Sequence, residues 1–477
     1  MSHTPRAQSP ALMEQRSIGY VPRSERHGHP FSQFTLWFGA NLHITSVITG
    51  ALAVVLGGDV VWSVVGLAVG QVLGGCVMAL HAVQGPRLGL PQMISSRAQF
   101  GVYGAAVPLL LVILMYLGFS ASGTVLAGES VAALAHMPDW AGILVFGAVT
   151  TVIAVVGYRL IHMIGRLATV ISSLTFLYLT IRLLSHADLG ALLGNAHFTW
   201  PSFLVAAGLS ASWQIAFGPY VADYSRYLPY EVRPAQTFWF TLLGSTLASQ
   251  WAMMFGVAAA AIAGTQFKGH EVTFIVGLGG SGLVAALIYF VIALGKLCVN
   301  VLNAYGGFMS TITTITGFRG HREISNGARL FWIALIMAAA TGIALVGQQD
   351  FLHTFHAFLL FLLTFFTPWS AINLTDFYLV AKERYDVTAI ADPKGPYGGW
   401  NWGAIGAFAF GVLAQLPFLY TDFYTGPMVE TLGGADISWI VGLVATSAAY
   451  WVACRWDRRV IPERTVLPDD EEYAAGR

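Results

Sequence analysis

The stretch from Trp37 to Gly50 reads "WFGANLHITSVITG", and it lies inside an apolar run that extends over residues 33–57. A run of this length is typical of a membrane-spanning helix. The stretch nevertheless brings Asn41, His43 and Ser46 into the run, where polar groups need partners. Backbone that leaves a helix at membrane depth is tolerated only where protein buries it or where it lines a cavity. The stretch therefore predicts a broken helix that serves a site, rather than a plain anchor.

A second interrupted run, 200–222, supports this interpretation. It leads into "SWQIAFGPYVADYSRY", from Ser212 to Tyr227, and the Gly218-Pro219 pair is expected to break the helix and free backbone carbonyls. The two interrupted runs are five runs apart, as in an inverted repeat of five plus five helices whose broken first helices meet at the midplane. The alternative is two kinked helices with no such relation.

Composition places the chain in a membrane. Of its 477 residues, 56% are hydrophobic and 10% are charged, and the mean hydropathy is +0.65, which is too apolar for a soluble fold of this length. The 24 basic and 24 acidic residues give a formal charge of zero, so no overall field favours nucleic acid. The three cysteines lie within or at the end of apolar runs, which argues against a disulfide framework or a zinc site. The polar first residues, 1–30, lack the apolar core of a signal peptide.

Twelve apolar runs, each about long enough to cross a bilayer, follow one another with short linkers. They cover approximately 33–57, 60–82, 104–135, 139–157, 162–184, 200–222, 236–264, 283–316, 328–347, 351–381, 402–421 and 437–455. The linkers leave no room for a folded soluble domain. We therefore expect an all-α polytopic membrane protein with one transmembrane domain over 33–455, an N-terminal tail over 1–32 and a C-terminal tail over 456–477.

The basic residues predict the orientation of these helices. Counting from the N-terminal tail, 21 of the 24 lysines and arginines fall in the tails or in alternate linkers on one side. Arg182 and Lys268 fall on the other side, and Lys296 falls inside an apolar run. The positive-inside rule then places both tails in the cytoplasm of a multi-pass protein of the cell membrane.

The eighth run carries the most unusual polar face of the chain. From Ala293 to Gly307 it reads "ALGKLCVNVLNAYGG", in which Lys296, Asn300 and Asn303 recur at helical spacing and share one face. Polar groups inside a membrane normally face the bundle interior or a cavity. The amides either read the edge of a substrate or form hydrogen bonds between helices, and both interpretations stay open for Asn303 and Asn300.

Six segments, in order along the chain, resemble the nucleobase:cation symporter-1 family in its purine-cytosine permease branch. They are "WFGANLHITSVITG", "GPRLGLPQMISSRAQFGVYG" from Gly85, "GPYVADYSRYLP" from Gly218, "VNVLNAYGG" from Val299, "TPWSAINLTDFYLVAKERYDV" from Thr367 and "LGGADISWIVG" from Leu432. The resemblance implies a LeuT-type fold, with helices 1–5 and 6–10 as inverted repeats and two helices appended. It also implies a substrate site between helices 1, 3, 6, 8 and 10, and import of flat heterocycles by alternating access, driven by sodium or protons.

A flat nucleobase needs a ring to stack on and amides or hydroxyls in its plane. Helix three offers Tyr116 and Phe119 followed by Ser120 and Ser122, and helix six offers Trp213 and Phe217. The resemblance assigns the stacking rings to Phe119 and Trp213, with Gln214 beside the latter, the ring edge to Asn300 and Asn303, and a position near the base to Ser46. For each aromatic residue, ordinary helix packing is the alternative.

The resemblance also bears on the coupling ion. In sodium-dependent members, helix eight supplies two adjacent hydroxyls just before the first asparagine, and those positions fall here on Cys298 and Val299, which suit sodium poorly. A buried ammonium of Lys296 could take the place of sodium between helix eight and the unwound part of helix one. His43 and Glu129 are further groups that could exchange protons, although a structural hydrogen bond is the alternative for His43, and a snorkelling or acid-paired side chain for Lys296. We therefore expect coupling to protons rather than to sodium, or no ion coupling, and no metal or other cofactor.

The leading hypothesis is thus a secondary active importer of a nucleobase-like heterocycle, with the lipid bilayer as surroundings and no protein partner evident. A sodium-coupled symporter of a hydantoin or a vitamin precursor is the alternative within the same class. An intramembrane enzyme using Lys296, His43 and Glu129 lacks a nucleophile or a metal-ligand cluster, and a channel would need a continuous polar lining. "GLGGSG" at Gly277–Gly282 lies in a linker without a preceding strand, so it does not predict nucleotide binding.

Overall fold

The computed structural model describes residues 19–156, 158–320, 325–421, 423–456 and 459–470, without the side chains of 156–167. The outer parts of both predicted tails, 1–18 and 471–477, lie outside these residues. Nineteen α-helices lie within the described residues: α1 Phe31–Asn41, α2 Ile44–Val55, α3 Val60–Leu88, α4 Gln92–Ser95, α5 Arg97–Phe100, α6 Ala106–Ala135, α7 Asp139–Val156, α8 Tyr158–His186, α9 Leu189–Gly194, α10 Trp200–Ile215, α11 Gly218–Ser225, α12 Pro234–Ala263, α13 Glu271–Gly279, α14 Leu283–Arg319, α15 Asn326–Gly347, α16 Phe351–Leu374, α17 Trp402–Gln415, α18 Pro427–Thr431 and α19 Ser438–Ala453. A π-helical turn, Thr375–Val380, continues α16. Strands β1, Tyr420–Thr421, and β2, Tyr424–Thr425, pair antiparallel.

Each of the twelve predicted runs contains one of these helices or a helix pair. Among the described residues, six helical stretches are by themselves long and apolar enough to cross a membrane, or seven if the bent pair α1–α2 is one span. Three shorter apolar helices correspond to α7, α17 and α19. The chain is therefore a mainly helical, multi-pass membrane protein.

The predicted break in the first helix is confirmed. The axes of α1 and α2 differ by 64°, and the two residues between them leave the helical region: Leu42 has φ −88° and ψ 75°, and His43 is extended with φ −150° and ψ 165°. The side chains at this break are thus presented at the junction of two helices rather than along one face.

The break in the sixth helix is milder than predicted. Only Ala216 and Phe217 separate α10 from α11, and both keep right-handed helical dihedrals. The N–H of Ala216 still bonds the carbonyl of Ser212 at 2.9 Å. Pro219 occupies the first turn of α11, where a missing N–H costs little, so the chain passes the Gly-Pro pair without an extended segment.

Several short elements were not predicted, and one predicted run is too long. Helices α4 and α5 lie in the linker after α3, and α13 lies in the linker that contains "GLGGSG". The eleventh run, 402–421, ends early: α17 stops at Gln415, and Pro417 lies in a short 3-10 turn before the β1–β2 hairpin. Proline cannot donate the backbone hydrogen bond that would continue the helix.

The long helices pack in two groups. Helices α1, α2, α3, α10, α11 and α12 form one group, and α6, α7, α8, α14 and α15 form the other; α16 lies against α10 and α19. Within the first group α2 and α12 approach closely, because a Cβ at Gly50 would overlap the backbone of Met253 and a Cβ at Gly256 would overlap the carbonyl of Val47. The break of α1–α2 and the middle of α10 thus lie near the boundary between the groups.

One end of the bundle carries both described chain ends, and we call it the terminal face: residues 19–29, 89–104, 381–401 and 459–470. Val21 donates its N–H to the carbonyl of Gly89 at 2.9 Å, and His27 donates to the carbonyl of Tyr227 at 2.7 Å. On the C-terminal side, the Val466 N–H bonds the carbonyl of Tyr385 at 2.8 Å. Residues from both ends of the chain are therefore built into this face.

Candidate functional site

Three of the predicted aromatic residues meet at the boundary between the two helix groups. Trp213 on α10 is 2% exposed, and its ring contacts Phe119 on α6 edge to face, with centroids 5.8 Å apart. Phe217 lies 5.8 Å from the same indole, also edge to face. The outer side of Phe119 contacts Phe358 of α16 at 5.1 Å. A heterocycle sandwiched between Trp213 and Phe119 would require the two rings to separate and turn parallel.

The indole of Trp213 is held by Asn41, at the end of α1. Its Nε1–H donates to Asn41 Oδ1 at 2.7 Å, and the Ser249 hydroxyl of α12 donates to the same oxygen at 2.8 Å. The Asn41 amide in turn donates to the carbonyl of Trp37 at 2.7 Å and to the hydroxyl of Ser245 at 3.1 Å. This fully buried amide joins the break of the first helix to α10 and α12, and sequence reasoning did not place it in the site.

Gln214 does not join the ring cluster. Its amide donates to Gln71 and, at 3.3 Å, to Ser249, and it accepts from Ser245 at 2.7 Å. Neighbouring residues of a helix point about 100° apart, so a rotation that turns Trp213 toward α6 turns Gln214 toward α3 and α12. Its hydrogen-bonding capacity is taken up between those helices.

Ser46 and Ser122 also use their hydroxyls locally. Ser46 donates to the carbonyl of Asn41 at 2.7 Å, across the break of the first helix. Ser122 donates to the carbonyl of Gly118 at 2.7 Å, within α6. In this structure the two hydroxyls satisfy backbone carbonyls.

Asn300 of α14 is fixed against α6 in one orientation. It is fully buried, and its Nδ2 donates to the carbonyl of Ser120 and to the hydroxyl of Thr124, both at 3.0 Å. Because a backbone carbonyl only accepts, the amide nitrogen must face it. The side-chain oxygen lies against Gly123, also on α6, and it has no hydrogen-bond partner among the described residues.

Three further buried polar atoms on α14, on α6 and at the break of the first helix also lack hydrogen-bond partners in the described part of the chain. They are Asn303 Nδ2, Ser120 Oγ and His43 Nδ1. Buried polar groups in native proteins are nearly always paired with protein, water or ligand. His43 is tied to the ring cluster, since its imidazole lies 5.6 Å from the Trp213 ring. Unpaired donors and acceptors thus lie on α14, on α6 and at the break of the first helix.

Lys296 lies one helical turn from Asn300 and is 1% exposed. Its chain extends toward α6, where the absence of a side chain at Gly123 makes room: a Cβ there would overlap Lys296 Cε and Asn300 Oδ1 and would lie 2.9 Å from Nζ. His43 is close enough to interact with it electrostatically. The structure records no hydrogen bond from Nζ to the carbonyls of the α1–α2 break, so the expected tie between helix one and helix eight is replaced by contact with α6.

Glu129 lies away from this centre. Its charge interacts with Glu271 and Asp139, which belong to the start of α13 and the start of α7. Burial raises the pKa of Glu271. No ion pair joins Glu129 to Lys296 among the described residues. The pairing considered for these two residues is therefore not seen.

Asp376 anchors a second polar network, at the terminal face. This buried carboxylate pairs with Arg459 and accepts from Tyr385 at 2.6 Å, Tyr450 at 2.9 Å and Gln99 at 3.1 Å. Its partner Arg459 lies 83 residues further along the chain, so no local sequence pattern indicates the pair.

Comparison with known proteins identifies relatives. Residues 20–442 match the family of permeases for cytosine and purines, uracil, thiamine and allantoin. A putative purine-cytosine permease of Bacillus subtilis, YxlA, is 40% identical over 441 residues, covering 92% of this chain and 95% of the relative. The hydantoin permease of Microbacterium maritypicum is 24% identical, covering 92% and 88%.

Solved structures show the same fold. The transporter Mhp1 in a closed conformation with bromovinylhydantoin bound superposes with a TM-score of 0.73 at 19% identity, covering 95% of this chain and 97% of that one. Its inward-facing conformation gives a TM-score of 0.76 at 21% identity, covering 98% of each chain. The protein therefore has the LeuT-type fold of Mhp1.

Proposed function

The chain belongs to the cytosine and purine permease family of nucleobase:cation symporters, and on that premise we propose that it imports a nucleobase or a related flat heterocycle by alternating access. Its relatives are transporters rather than enzymes. The single observation that carries the proposal is the joint presence of the Phe119–Trp213 ring pair and the fixed, unpaired oxygen of Asn300. Together they offer a stacking surface and an in-plane acceptor, the two features that a heterocycle needs.

The proposed site comprises the rings of Phe119, Trp213 and Phe217 and the amides of Asn300 and Asn303. Ser46 and Ser122 remain in it as hydroxyls that can exchange a backbone carbonyl for a ligand when the helices move. Gln214 acts behind Trp213, through the network that it shares with Asn41.

We further propose twelve spans, with both tails cytoplasmic, and an inverted repeat of helices 1–5 and 6–10. The packing supports the repeat, because the first group contains predicted helices 1, 2, 6 and 7 and the second contains helices 3, 4, 8 and 9. Four of the five pairs of corresponding helices thus lie in the same group, whereas helix 5 (α8) lies in the second group and helix 10 (α16) packs against α10 and α19. The excess of basic residues on one side supports the orientation.

For coupling we propose protons rather than sodium. The two residues that precede Asn300 on α14 are Cys298 and Val299, and neither supplies the oxygen that a hard cation prefers. The buried amine of Lys296 and the imidazole of His43 are groups of this region that can carry a proton. Glu129 stands apart from them, near Glu271, and is the weaker candidate.

Transport assays on purified protein in proteoliposomes test the proposal. Counterflow of a labelled base without chemical change is the expected result for a carrier, and saturation of the flux distinguishes it from a channel. An imposed proton gradient should drive accumulation, whereas a sodium gradient should not. Lys296→Ala should lose accumulation and retain exchange, with Cys298→Ala as the control on the same helix. Strict sodium dependence of wild-type uptake would contradict the coupling, and absence of counterflow for every heterocycle tried would contradict the transport function.

A further inference from the structure

The ammonium group of Lys296 has no counter-charge in the described part of the chain. The side chain is 1% exposed, and no ion pair or hydrogen bond of it is found among the described residues. The acidic residue of the neighbouring helix α6, Glu129, lies near two other acids, Glu271 and Asp139, and makes no ion pair with Lys296 among the described residues. From α8 the uncharged hydroxyl of Ser172 faces this turn of α14, 3.5 Å from where a Cβ of Gly295 would lie.

A buried amine either loses its proton or needs an anionic partner for its charged form. The protein itself does not supply an anionic partner here, since the break of the first helix contributes only the imidazole of His43. A negatively charged group of the transported substrate can supply the missing charge.

The position of Lys296 makes such a contact possible. Gly123, which the lysine chain covers, lies four residues beyond Phe119 and therefore on the same face of α6, one turn away. His43, the other neighbour, lies against the Trp213 ring. The ammonium thus lies beside the unpaired oxygen of Asn300, one helical turn of α6 from Phe119, and within electrostatic range of His43.

We propose that Lys296 binds a negatively charged group of the transported heterocycle. The inference rests on the proposed function and narrows its substrate class: a flat ring that is an anion at neutral pH, with the charged oxygen or ring nitrogen directed to Nζ. The oxygen of Asn300 accepts an N–H from the same ring edge. Oxidised purines and carboxylated pyrimidines have this combination, whereas cytosine and adenine lack the charge.

Binding measurements on the purified full-length chain test this assignment. The ligands are urate and orotate, which are anions at neutral pH, the methyl ester of orotate, which has the same ring without the charge, and neutral cytosine. We expect orotate to bind more tightly than its ester. Lys296→Met should lower the affinity for both anions by about tenfold or more, the scale of one lost charge-assisted hydrogen bond, and should change the affinity for the neutral ligands little. Leu287→Met, at a residue of the same helix that is 55% exposed, serves as the control.

The ratio of the affinity for the anionic ligands to the affinity for the neutral ligands distinguishes a role in recognition from a role in folding. If Lys296 were only structural, its replacement would change both affinities together. Equal binding of orotate and its ester by the wild-type chain would overturn the inference, even if Lys296→Met did not fold. So would an unchanged ratio in Lys296→Met. In both cases binding of neutral bases leaves the proposed function standing, whereas failure of all four ligands to bind would overturn the proposed function and this inference together.

Discussion

Trp213 combines a buried ring with a polar edge that is already satisfied. Its N–H is bonded to Asn41, so its face remains the part available to a ligand. Trp213→Ala should weaken binding of a transported heterocycle by about 1–3 kcal/mol, the scale of one base–aromatic stack, and the protein should still fold. Isothermal titration with the best-binding heterocycle measures this. Trp402→Ala, at a tryptophan that is 70% exposed, is the control, and equal affinities for the two variants would remove Trp213 from the site.

The amide nitrogen of Asn300 is bonded to α6, whereas its side-chain oxygen has no hydrogen-bond partner among the described residues. Removing the amide by Asn300→Ala should weaken ligand binding by about 1–3 kcal/mol, because the donor group of the ligand loses the oxygen that accepts its hydrogen bond. Thr124→Ala is the matched control, since it removes only one bond to the committed nitrogen. If both variants lose the same affinity, Asn300 acts through helix packing and not through the ligand.

At this scale the residue types and the helix faces of the site could be predicted from the sequence. The direction of a side chain could not be predicted where it depends on partners far along the chain. Lys296, Asn300 and Asn303 were placed on one inward face from spacing alone, and all three are buried. The family resemblance places Gln214 beside Trp213 in the site, although adjacent side chains of a helix diverge. Asn41 was passed over because its partners, Trp213, Ser245 and Ser249, lie far along the chain.

The break between α1 and α2 is the element on which the ring cluster depends. Asn41 is a positioning residue there, since it touches Trp213 and not the proposed ligand position. Asn41→Ala should weaken ligand binding and lower the melting temperature, because it leaves the Trp213 N–H and two serine hydroxyls without their partner. Asn41→Asp, which keeps the accepting oxygen, should retain more of the binding than Asn41→Ala. Identical affinities of the two variants would show that Asn41 does not orient Trp213.

Close packing of α2 against α12 is the second element-scale feature. A Cβ at Gly50 would overlap backbone atoms of Met253, which cannot move without shifting a helix. Gly50→Ala should therefore destabilise the protein by about 1–3 kcal/mol, as overpacking does, with a lower melting temperature in detergent. Gly342→Ala is the control, because nothing lies within 4 Å of a Cβ there; removing glycine from that helix should be stabilising by about 0.5–1 kcal/mol. A wild-type melting temperature for Gly50→Ala would contradict the close approach.

The elements were predictable to the extent that one local signal determines them. Apolar length located the main helices, and polar residues in the first run indicated its break, which falls at Leu42 and His43. The sixth helix was expected to break strongly because Gly218-Pro219 is a strong local signal, but proline in the first turn of a new helix is tolerated. Short helices such as α13 have no periodic signal of sufficient length to be found.

In the whole molecule the candidate site lies where the two helix groups meet. Trp213 belongs to the group of α1–α3 and α10–α12, whereas Phe119, Asn300 and Lys296 belong to the group of α6–α8, α14 and α15. A ligand bound between them contacts both groups, so its affinity depends on their relative position. The site is therefore suited to couple binding to a movement of one group against the other.

At the terminal face, the described ends of the chain close over the bundle. Tyr20 donates to Asp469 at 2.5 Å, and the N–H of Arg23 donates to the same carboxylate at 2.6 Å. Although burial opposes the charge of Asp469, these hydrogen bonds hold its pKa below the usual range. The contacts join the first described residues to the last across the face, an association that no local sequence signal indicates.

The ion pair of Arg459 and Asp376 should be the strongest of these connections. Although burial opposes the charge of Arg459, Asp376 outweighs that effect and raises the pKa of Arg459, so the guanidinium stays charged at neutral pH. Arg459→Met leaves the carboxylate of Asp376, which is 0% exposed, without its cation and should destabilise the protein by about 3–5 kcal/mol. The double variant Arg459→Met, Asp376→Asn removes both charges and should recover much of the lost stability.

Thermal melting in detergent compares the wild-type chain with these two variants. Arg455→Met is the control, because Arg455 lies over Trp451 at the surface and should contribute only about 0.5–1 kcal/mol to stability. If the double variant melts as low as Arg459→Met, the loss comes from packing of the C-terminal segment, and the ion pair is not what holds it to the bundle.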